Sequence, residues 1–309
     1  MDNLILDVKN LTKIFGKFTA VDNLSFSIKD GEILGLLGPN GAGKTTTIQM
    51  LLGVMEQTEG EIIYFDKPFK KHREEILQDV NFSSTYISFP WNLTIWENLM
   101  VFAHLYQVTD KRKRINKLLE AFEAQDLKDK NFYMLSAGEK TKVFLIKAFL
   151  NYPKILLLDE PTASLDPDIA KKIREFLKKE KEEFNVSMLF TSHNMTEVEE
   201  MCDRIIFLNH GKIIAQGTPS EIAKNIKNCK LQLMISQGSD ELIKYLNKKG
   251  LQAQVNKPYL NIDIPEKQVS NILSEITRKG FEYEEINIEK PSLEDFFLKV
   301  VKENEISKN

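Results

Sequence analysis

The stretch GPNGAGKTT (38–46) has the residue types and the spacing of a loop that binds phosphate groups. It matches the pattern G-x-x-x-x-G-K-[ST] at Gly38, Gly43, Lys44 and Thr45, and it joins an apolar strand pattern to an apolar helical pattern. Glycines let successive backbone N–H groups face inward at a helix start, where they form a nest for an anion. A helix terminus contributes only about 0.3–2 kcal/mol to holding an anion. We therefore expect Lys44 to neutralise the outer phosphates of a triphosphate and Thr45 to ligate Mg²⁺.

Two adjacent carboxylates, Asp159 and Glu160, end the apolar run KILLLDE (154–160). The run is too continuous for a half-exposed strand, so it predicts a strand buried on both faces. Ligands of open parallel sheets lie beyond the carboxyl ends of the strands. We expect Asp159 to hold Mg²⁺, directly or through water, and Glu160 to polarise the attacking water. Without the glycine-rich loop upstream, the same pair would indicate only a solvated turn.

A third strand pattern, VSMLFTS (186–192), runs directly into His193. A lone histidine is more often structural or exposed. Because this one falls at a strand end, its position favours a contact with the γ-phosphate at the same predicted site.

The segment LSAGEKTKVFLIKAFL (135–150) begins with an S-x-x-E capping box, formed by Ser136 and Glu139, ahead of an almost wholly apolar helix. The simplest interpretation is a well-capped core helix. A capped helix start with Gly138 in its first turn is also an anion site. The two interpretations are compatible.

Together these motifs resemble those of the ATP-binding subunit of an ABC transporter, and they occur in the family's order over residues 1 to about 222. GPNGAGKTT (38–46) resembles its Walker A motif, LSAGE (135–139) its signature, ILLLDE (155–160) its Walker B motif with the catalytic glutamate, SLD (164–166) its D-loop, and His193 its switch histidine. Phe15 in KIFG resembles the aromatic residue that stacks on adenine, although such a residue is usually part of a core.

The resemblance implies that ATP and Mg²⁺ are the cofactors. It implies nucleotide contacts for Phe15, Gly38, Pro39, Asn40, Gly41, Ala42, Gly43, Lys44, Thr45, Thr46, Ser136, Gly138 and Asp166. It implies catalytic roles for Lys44, Glu160 and His193, and Mg²⁺ ligation by Thr45 and Asp159.

The resemblance also implies a head-to-tail homodimer, in which each ATP lies between the Walker A motif of one copy and the signature of the other. Ser136 and Gly138 would then contact the nucleotide held by the second copy. Asp166, which also has the position of a helix N-cap before Pro167, would lie near the same interface. Closure on ATP and reopening after hydrolysis would power a separate membrane-spanning permease subunit. The chain would lie at the cytoplasmic face of the membrane through that partner.

Two departures from the family's pattern bear on catalysis. Ser84 and Thr85 stand where the family has a glutamine, and no glutamine occurs between residues 78 and 107. Because a hydroxyl reaches less far than a glutamine amide, we expect modest hydrolysis that depends on Glu160. The signature also has alanine at its third position and ends in glutamate, which is a milder change.

The resemblance implies that the chain between the Walker A motif and the signature forms a helical subdomain, here about residues 83–150, whose surface would accept a short helix of the membrane-spanning subunit. LTIWENLMVFAHLYQ (93–107) and DKRKRINKLLEAFEA (110–124) have the patterns of its helices. The second pattern predicts a buried face, made of Ile115, Leu118, Leu119 and Phe122.

This subdomain begins with an aromatic-rich stretch that contains both tryptophans of the chain. We expect some of its rings to line a socket for the permease, because aromatic side chains anchor interfaces. The predicted socket residues are Tyr86, Phe89 and Trp91, with Phe132 and Tyr133 nearby. The alternative is that the rings fill the core of the subdomain, which we expect for Trp96.

After residue 222 the pattern changes to β-α-β-β-α-β with a closing helix at 292–301, which predicts a small ferredoxin-like α+β domain. The expected organisation is an α/β P-loop ABC ATPase domain at 1–222 and an accessory domain at 228–309. The closing helix has one apolar stripe, made of Leu293, Phe296, Phe297 and Val300, as in a core helix. PSLEDFF (291–297) resembles the tail of exporter subunits of the daunorubicin-export type, which implies export and a regulatory or assembly role for this domain.

Composition agrees with a globular chain, since 42% of residues are hydrophobic and 28% are charged. A formal net charge of −3 provides no global basic field for nucleic acid. Cys202 and Cys229 match no metal-ligand spacing and indicate reduced thiols in a cytosolic protein. No apolar stretch approaches the ~20 residues that span a bilayer, so a partner would have to supply the spanning helices.

Two other functions are compatible with parts of the sequence. A soluble ABC ATPase that acts on the ribosome or nucleic acid gains support from the missing glutamine and from the basic runs KKHR (70–73) and KRKR (111–114). It loses support because such relatives usually carry two nucleotide domains in tandem. A nucleotide kinase is disfavoured by LSAGE, which that chemistry does not require.

Overall fold

The structure, a computed structural model, describes residues 3–84, 88–163, 165–224, 226, 228–235 and 238–306, with side chains as far as residue 300. Thr85 and Tyr86, together with Ser164 of the SLD stretch, lie outside the described residues. The chain divides into two compact units, Met1–Pro219 and Ser220–Asn309.

Two sheets form the framework of the first unit. Their strands are β1 (Leu4–Phe15), β2 (Phe18–Lys29), β3 (Ile33–Leu37), β4 (Glu59–Tyr64), β5 (Lys67–Pro68), β6 (Val80–Ser84), β7 (Ile155–Asp159), β8 (Ser187–Thr191), β9 (Arg204–Asn209) and β10 (Lys212–Gly217). The first sheet is antiparallel and has the order β2-β1-β4-β5. The second has the order β10-β9-β3-β8-β7-β6 and is parallel except for β10, so the predicted mixed sheet is confirmed.

Helices connect these strands. They are α1 (Lys44–Leu51), α2 (Phe69–Asp79), α3 (Ile95–Leu105), α4 (Lys111–Ala121), α5 (Ala137–Ala148), α6 (Pro167–Phe184) and α7 (Met195–Met201). A short helix, α8 (Pro219–Ala223), begins at the last residue of the first unit and continues into the second. The predicted face of α4 and the turn after it is buried, with Ile115, Leu118, Leu119 and Phe122 each less than 5% exposed.

The central strands of the second sheet bring polar side chains to one edge. β3 and β8 are buried throughout and β7 is buried up to its last residue, as expected for strands covered on both faces. The register of β6, β7 and β8 aligns Ser84, Asp159 and Thr191 side by side at the carboxyl ends of parallel strands. This edge carries the candidate site.

The aromatic stretch before α3 separates into a buried part and an exposed part. Phe89 is 2% exposed, and its ring lies 5.1 to 5.4 Å from the rings of Phe102, Phe132 and Phe144. The prediction that Phe89 and Phe132 line an external socket is therefore wrong, because both rings fill the core between α3 and α5. Trp96 is half-buried, under the ammonium of Lys128.

Trp91 and Tyr133 remain on the surface, 69% and 58% exposed. Their rings meet edge to face with centroids 6.4 Å apart, and Met134 beside them is 61% exposed. These three side chains form an exposed apolar surface, which we call the Trp91 surface.

The second unit contains one antiparallel sheet with helices. Its elements are β11 (Asn228–Ile235), α9 (Ser239–Lys248), β12 (Gln252–Asn256), β13 (Tyr259–Pro265), α10 (Val269–Arg278), β14 (Tyr283–Glu289) and α11 (Leu293–Ile306). The sheet order β12-β13-β11-β14 is that of the predicted ferredoxin-like arrangement. In α11, Leu293 and Val300 are buried, whereas Phe296 and Phe297 are half-buried.

Lys147 of α5 is a lysine buried among uncharged groups. Its Nζ donates to Asn81 Oδ1 at 2.7 Å, and the ring centroids of Phe82, Phe102 and Tyr106 lie 4.3, 5.6 and 5.7 Å away. Burial lowers the pKa of its ammonium to about 7. The sequence did not reveal this group, because Lys147 continues an apolar helix pattern.

We expect Lys147→Met to raise the free energy of unfolding by roughly 1–3 kcal/mol at about pH 6, because the variant no longer buries a charge. The cost of the buried charge is fully present below the folded pKa of about 7 and is relieved as the pH rises toward the ordinary value of 10.5. The gain should therefore shrink between those two values. Urea unfolding at about pH 6 and pH 9, with the exposed Lys113→Met as control, measures it. An equal gain at both pH values would contradict this explanation.

Candidate nucleotide-binding and hydrolysis site

Three glycines shape the loop between β3 and α1. Gly38, Gly41 and Gly43 have φ angles of 146°, 80° and 103°. A Cβ on Gly38 would lie 2.2 Å from the carbonyl oxygen of Leu208, and one on Gly43 would lie 2.7 Å from that of Ala20. Both obstacles are backbone atoms, so no side-chain movement could relieve the clash. The loop conformation therefore requires glycine at both positions.

The other residues of the loop differ in exposure. Asn40, Gly41 and Thr45 are exposed, Pro39 and Thr46 are half-buried, and Ala42 is buried. The backbone of Ala42 is used within the protein, because its N–H donates to Pro39 O at 3.1 Å and its carbonyl accepts from Gly211 N at 3.1 Å. The hydroxyl of Thr45 stands at the first turn of α1, where it is open to a ligand.

Lys44 contacts the loop and interacts electrostatically with Asp159, the last residue of β7, and with Glu160, which follows it. Its Nζ donates to the carbonyl oxygens of Gly38 at 2.6 Å and Pro39 at 3.2 Å. Burial lowers the pKa of the ammonium, while the charges of Glu160 and Asp159 act to raise it. The structure thus brings the predicted cation and the predicted carboxylates into one electrostatic site.

Asp159 is oriented by hydroxyl groups from the strands on either side. Thr191 Oγ1 donates to Asp159 Oδ1 at 2.7 Å, and Ser84 Oγ donates to Oδ2 at 3.4 Å. Ser84 stands where the family has a glutamine, and it lies beside the candidate Mg²⁺ ligand. Sequence reasoning did not predict a role for Thr191. Its position at the end of the strand pattern before His193 was the signal that could have indicated one.

Glu160 has an unusual backbone conformation that directs its side chain. Its φ angle is 53°, in the left-handed region that costs an ordinary residue about 1–2 kcal/mol. Its N–H donates to Thr191 Oγ1 at 3.0 Å, which holds the turn in place. The carboxylate meets His193 Nε2 at 2.5 Å. The structure thus brings together two residues that the sequence placed at the ends of different strands. Backbone strain of the kind seen at Glu160 is concentrated at functional sites.

A buried carboxylate, Glu197, fixes the two loops that carry these side chains. Thr162 Oγ1, from the loop after Glu160, donates to it at 2.7 Å. Ser192 Oγ, from the loop before His193, donates to it at 2.9 Å. Arg174 supplies the opposite charge at 2.9 Å. Sequence reasoning missed this network, because none of its members belongs to a motif.

The signature helix has the predicted cap. Ser136 Oγ accepts from Glu139 N at 3.2 Å, and Glu139 Oε2 accepts from Ser136 N at 2.8 Å. Lys130 Nζ approaches the other oxygen of Glu139 at 3.1 Å. Gly138 lies in the first turn of α5, so its backbone stands at the positive end of the helix.

Asp166 and Phe15 both lie at the surface. Asp166 is the N-cap residue of α6 with Pro167 next, as predicted, but its side chain makes no capping hydrogen bond. Phe15 is 45% exposed, with Lys13 Nζ 5.2 Å from its ring centroid, so it is not a core residue. Within the described part of the chain, no hydrogen bond or ion pair joins Ser136, Gly138 or Asp166 to the group around Lys44.

Comparison with known proteins decides the family. A family profile described as "ABC transporter" matches residues 21–163. The bacitracin transport ATP-binding protein BcrA of Bacillus licheniformis is 30% identical over 315 residues, which cover 96% of this chain and 97% of that protein. The chain belongs to the ABC transporter ATP-binding family. Members of this family hydrolyse ATP and work with membrane permease partners, so the predicted ATPase activity is confirmed.

Other similarities within the family extend over most of the chain. The linearmycin resistance ATP-binding protein LnrL of Bacillus subtilis (strain 168) is 32% identical, over 95% of this chain and 97% of that protein. The dimeric post-hydrolysis state of the ATP-binding cassette MJ0796, bound to ADP and Pi, matches with a TM-score of 0.64 and 26% identity over 69% of this chain and 98% of that one. The predicted ABC ATPase fold is therefore confirmed.

Among the described residues, no helix is both long enough and apolar enough to span a bilayer.

Proposed function

We propose that the chain is the ATP-hydrolysing subunit of an exporter. The observation that carries this proposal is the extent of the similarity. Relatives named for bacitracin transport and linearmycin resistance match at least 95% of this chain, so the similarity includes the second unit as well as the ATPase core. A relative named as a Nod factor export protein of Neorhizobium galegae is 35% identical over 77% of the chain.

In this proposal the group around Lys44 hydrolyses ATP. Lys44 exchanges its contacts with the carbonyls of Gly38 and Pro39 for phosphate oxygens, and the loop N–H groups hold the remaining charge. Glu160 accepts a hydrogen bond from the attacking water and orients it. His193, which already contacts Glu160, would contact the γ-phosphate. The ring of Phe15 offers an exposed face for adenine.

The residues fit a magnesium ion. Asp159 presents a carboxylate held by two neutral hydroxyls, and Thr45 presents an exposed hydroxyl, so both offer the hard oxygen ligands that Mg²⁺ takes. When bound, Mg²⁺ would neutralise charge on the transferred phosphoryl group. Ser84 is too short to replace a glutamine amide, and we propose that its part is to orient Asp159.

Two copies would complete each site. Ser136 and Gly138 offer a capped helix start that no contact in the described chain joins to the group around Lys44, so both are available to the nucleotide of a second copy. Asp166 would lie at the same interface. The dimeric MJ0796 cassette supports this arrangement.

The permease partner would hold the chain at the cytoplasmic face of the membrane. We propose the Trp91 surface as its contact, because exposed Trp and Tyr side chains commonly anchor interfaces. We propose domain limits near 1–222 for the ATPase domain and 228–309 for the accessory domain. The accessory domain would regulate the ATPase or assist assembly of the transporter.

We expect the double variant Trp91→Ala, Tyr133→Ala to reduce co-purification of the membrane subunit by about tenfold or more, since each anchor can contribute about 2 kcal/mol to an interface. ATPase activity of the isolated chain should be unchanged. Ile214→Ala, at an exposed apolar residue on β10, is the control. If the double variant co-purifies with the membrane subunit as well as the unmutated chain does, the permease contacts another surface.

The exporter assignment is tested by co-expression with any protein of several membrane-spanning segments that a neighbouring reading frame encodes. We expect a stable complex whose ATPase rate responds to the transported compound. The alternative function, on the ribosome or nucleic acid, is not favoured by the comparisons. It predicts RNA binding that falls steeply with salt, and finding such binding without any membrane complex would replace the exporter proposal.

A further inference from the structure

A cavity of about 420 Å³ lies in the first unit, away from the candidate nucleotide site. Its wall includes Lys154 and Val186, which directly precede β7 and β8. The residues of the nucleotide site follow the opposite, carboxyl ends of the same strands. The cavity therefore lies at the other edge of the sheet, and none of the motifs of the family contributes to it.

Aromatic side chains form much of the wall. Phe149 and Phe176 pack edge to face with ring centroids 5.1 Å apart, and Tyr152 and Phe184 add two exposed rings. Such walls accommodate an apolar body. They do not by themselves select a head group.

Arg114 of α4 supplies a polar group in this wall. The residue is only 7% exposed, and its guanidinium lies 3.7 Å from the ring centroid of Tyr152. One end of the guanidinium donates to the carbonyl oxygen of Phe149 at 2.5 Å, which caps the end of α5. Its Nε–H is buried and has no acceptor. Because a buried donor without an acceptor is unfavourable, a ligand that brings an acceptor to Arg114 would gain binding free energy from it.

The other charged residues of the cavity determine which charge the acceptor group of a ligand should carry. Burial raises the pKa of Glu180, while the positive charges of Arg114 and Lys117 act to lower it. Protonation therefore neutralises the carboxylate of Glu180 more easily than that of an ordinary glutamate, whereas Arg114 keeps its charge. At the exposed rim, Lys117 and Asp30 have opposite charges, and Lys154 is paired with Asp79 at 2.7 Å. The deepest fixed charge is therefore the positive charge of Arg114.

We infer that this cavity binds a small organic carboxylate with an aromatic or aliphatic body. The carboxylate accepts hydrogen bonds from the guanidinium edge of Arg114 that includes Nε, and the body packs against Phe149 and Phe176. Guanidinium and carboxylate are matched in planar geometry, which favours this head group over a neutral hydroxyl. Binding requires a small rearrangement, since the Nε atom is covered until a ligand displaces the side chains around it.

Isothermal titration calorimetry tests this inference with three compounds that share a phenyl ring on a four-carbon chain and differ in the polar group at its end. We expect phenylbutyrate to bind the full-length chain at least tenfold more tightly than phenylbutanol, and phenylbutylamine to show no binding, because only the carboxylate complements Arg114. Binding should persist without nucleotide. Equal or tighter binding of the amine, or no binding of phenylbutyrate at millimolar concentration, would overturn the inference.

Variants locate the probe in the cavity. Glu180→Gln should tighten phenylbutyrate binding by roughly two- to tenfold, since it removes a like charge while it keeps the shape of the side chain. Glu175→Gln, on the exposed side of the same helix and outside the cavity wall, should have no effect. A weakening by Glu180→Gln, or an equal effect of both variants, would contradict the proposed site.

Two further variants remove binding by different routes. Arg114→Met should reduce phenylbutyrate affinity at least tenfold, but it also removes the bond to Phe149, so its melting temperature must be compared with that of the unmutated chain. Ala121→Phe places a ring at the cavity wall without touching Arg114. It should block the probe while the chain stays folded. Unchanged affinity in a folded Ala121→Phe variant would place the probe outside the cavity.

Discussion

Glu160→Gln should slow ATP hydrolysis by roughly 10²- to 10⁴-fold, because a neutral amide cannot act as the base that orients and polarises the attacking water. The shape of the side chain is retained, and the hydrogen bond from Glu160 N–H to Thr191 at the left-handed turn does not involve the carboxylate. ATP affinity should therefore change little. Phosphate release under saturating ATP measures the rate, and equilibrium dialysis measures the affinity.

The matched control is Glu182→Gln, the same change at an exposed position of α6. It should hydrolyse ATP at the normal rate. If Glu160→Gln slows phosphate release by less than threefold while ATP binding is intact, Glu160 is not the base. The contact with His193 would then be structural.

The sequence was sufficient to predict which main groups the structure brings together at the candidate site. A glycine pattern before a helix and carboxylates after an apolar run are local signals, and the parallel order of β6, β7, β8 and β3 brings their ends to one edge. Lys44, Asp159 and Glu160 could therefore be predicted together. Backbone strain could not be predicted, since the left-handed conformation of Glu160 depends on Thr191, which is distant in sequence.

Burial of individual aromatic side chains was less predictable. Phe89 and Trp91 are separated by a single residue, yet Phe89 is 2% exposed and Trp91 is 69% exposed. An irregular segment has no periodicity from which an inward face could be inferred, so only the packing of α3 against α5 decides which ring is covered. Nothing in the sequence singled out Lys147, which lies in an almost wholly apolar helix, yet its side chain is buried and burial lowers the pKa of its ammonium to about 7.

The proposed dimer makes a prediction that no single-chain site can reproduce. Lys44→Ala removes the phosphate cation, and Gly138→Asp places a negative charge at the helix start that would face the nucleotide of the second copy. Each variant alone should lose hydrolysis by roughly 10²-fold or more. Mixed in equal amounts, they should recover about a quarter of the unmutated rate, because half of the random dimers are mixed and each mixed dimer has one intact site of two.

The geometry behind this recovery is specific to head-to-tail sharing. In a mixed dimer, one site combines both defects, and the other combines the unmutated Lys44 of one copy with the unmutated Gly138 of its partner. If each site used Lys44 and Gly138 of the same chain, every site in the mixture would carry one defect, and no rate would return. Phosphate release from the mixture, with each variant alone as control, therefore discriminates the two arrangements. A mixture no faster than its components would exclude the shared site, even if Lys44 and Gly138 both prove essential.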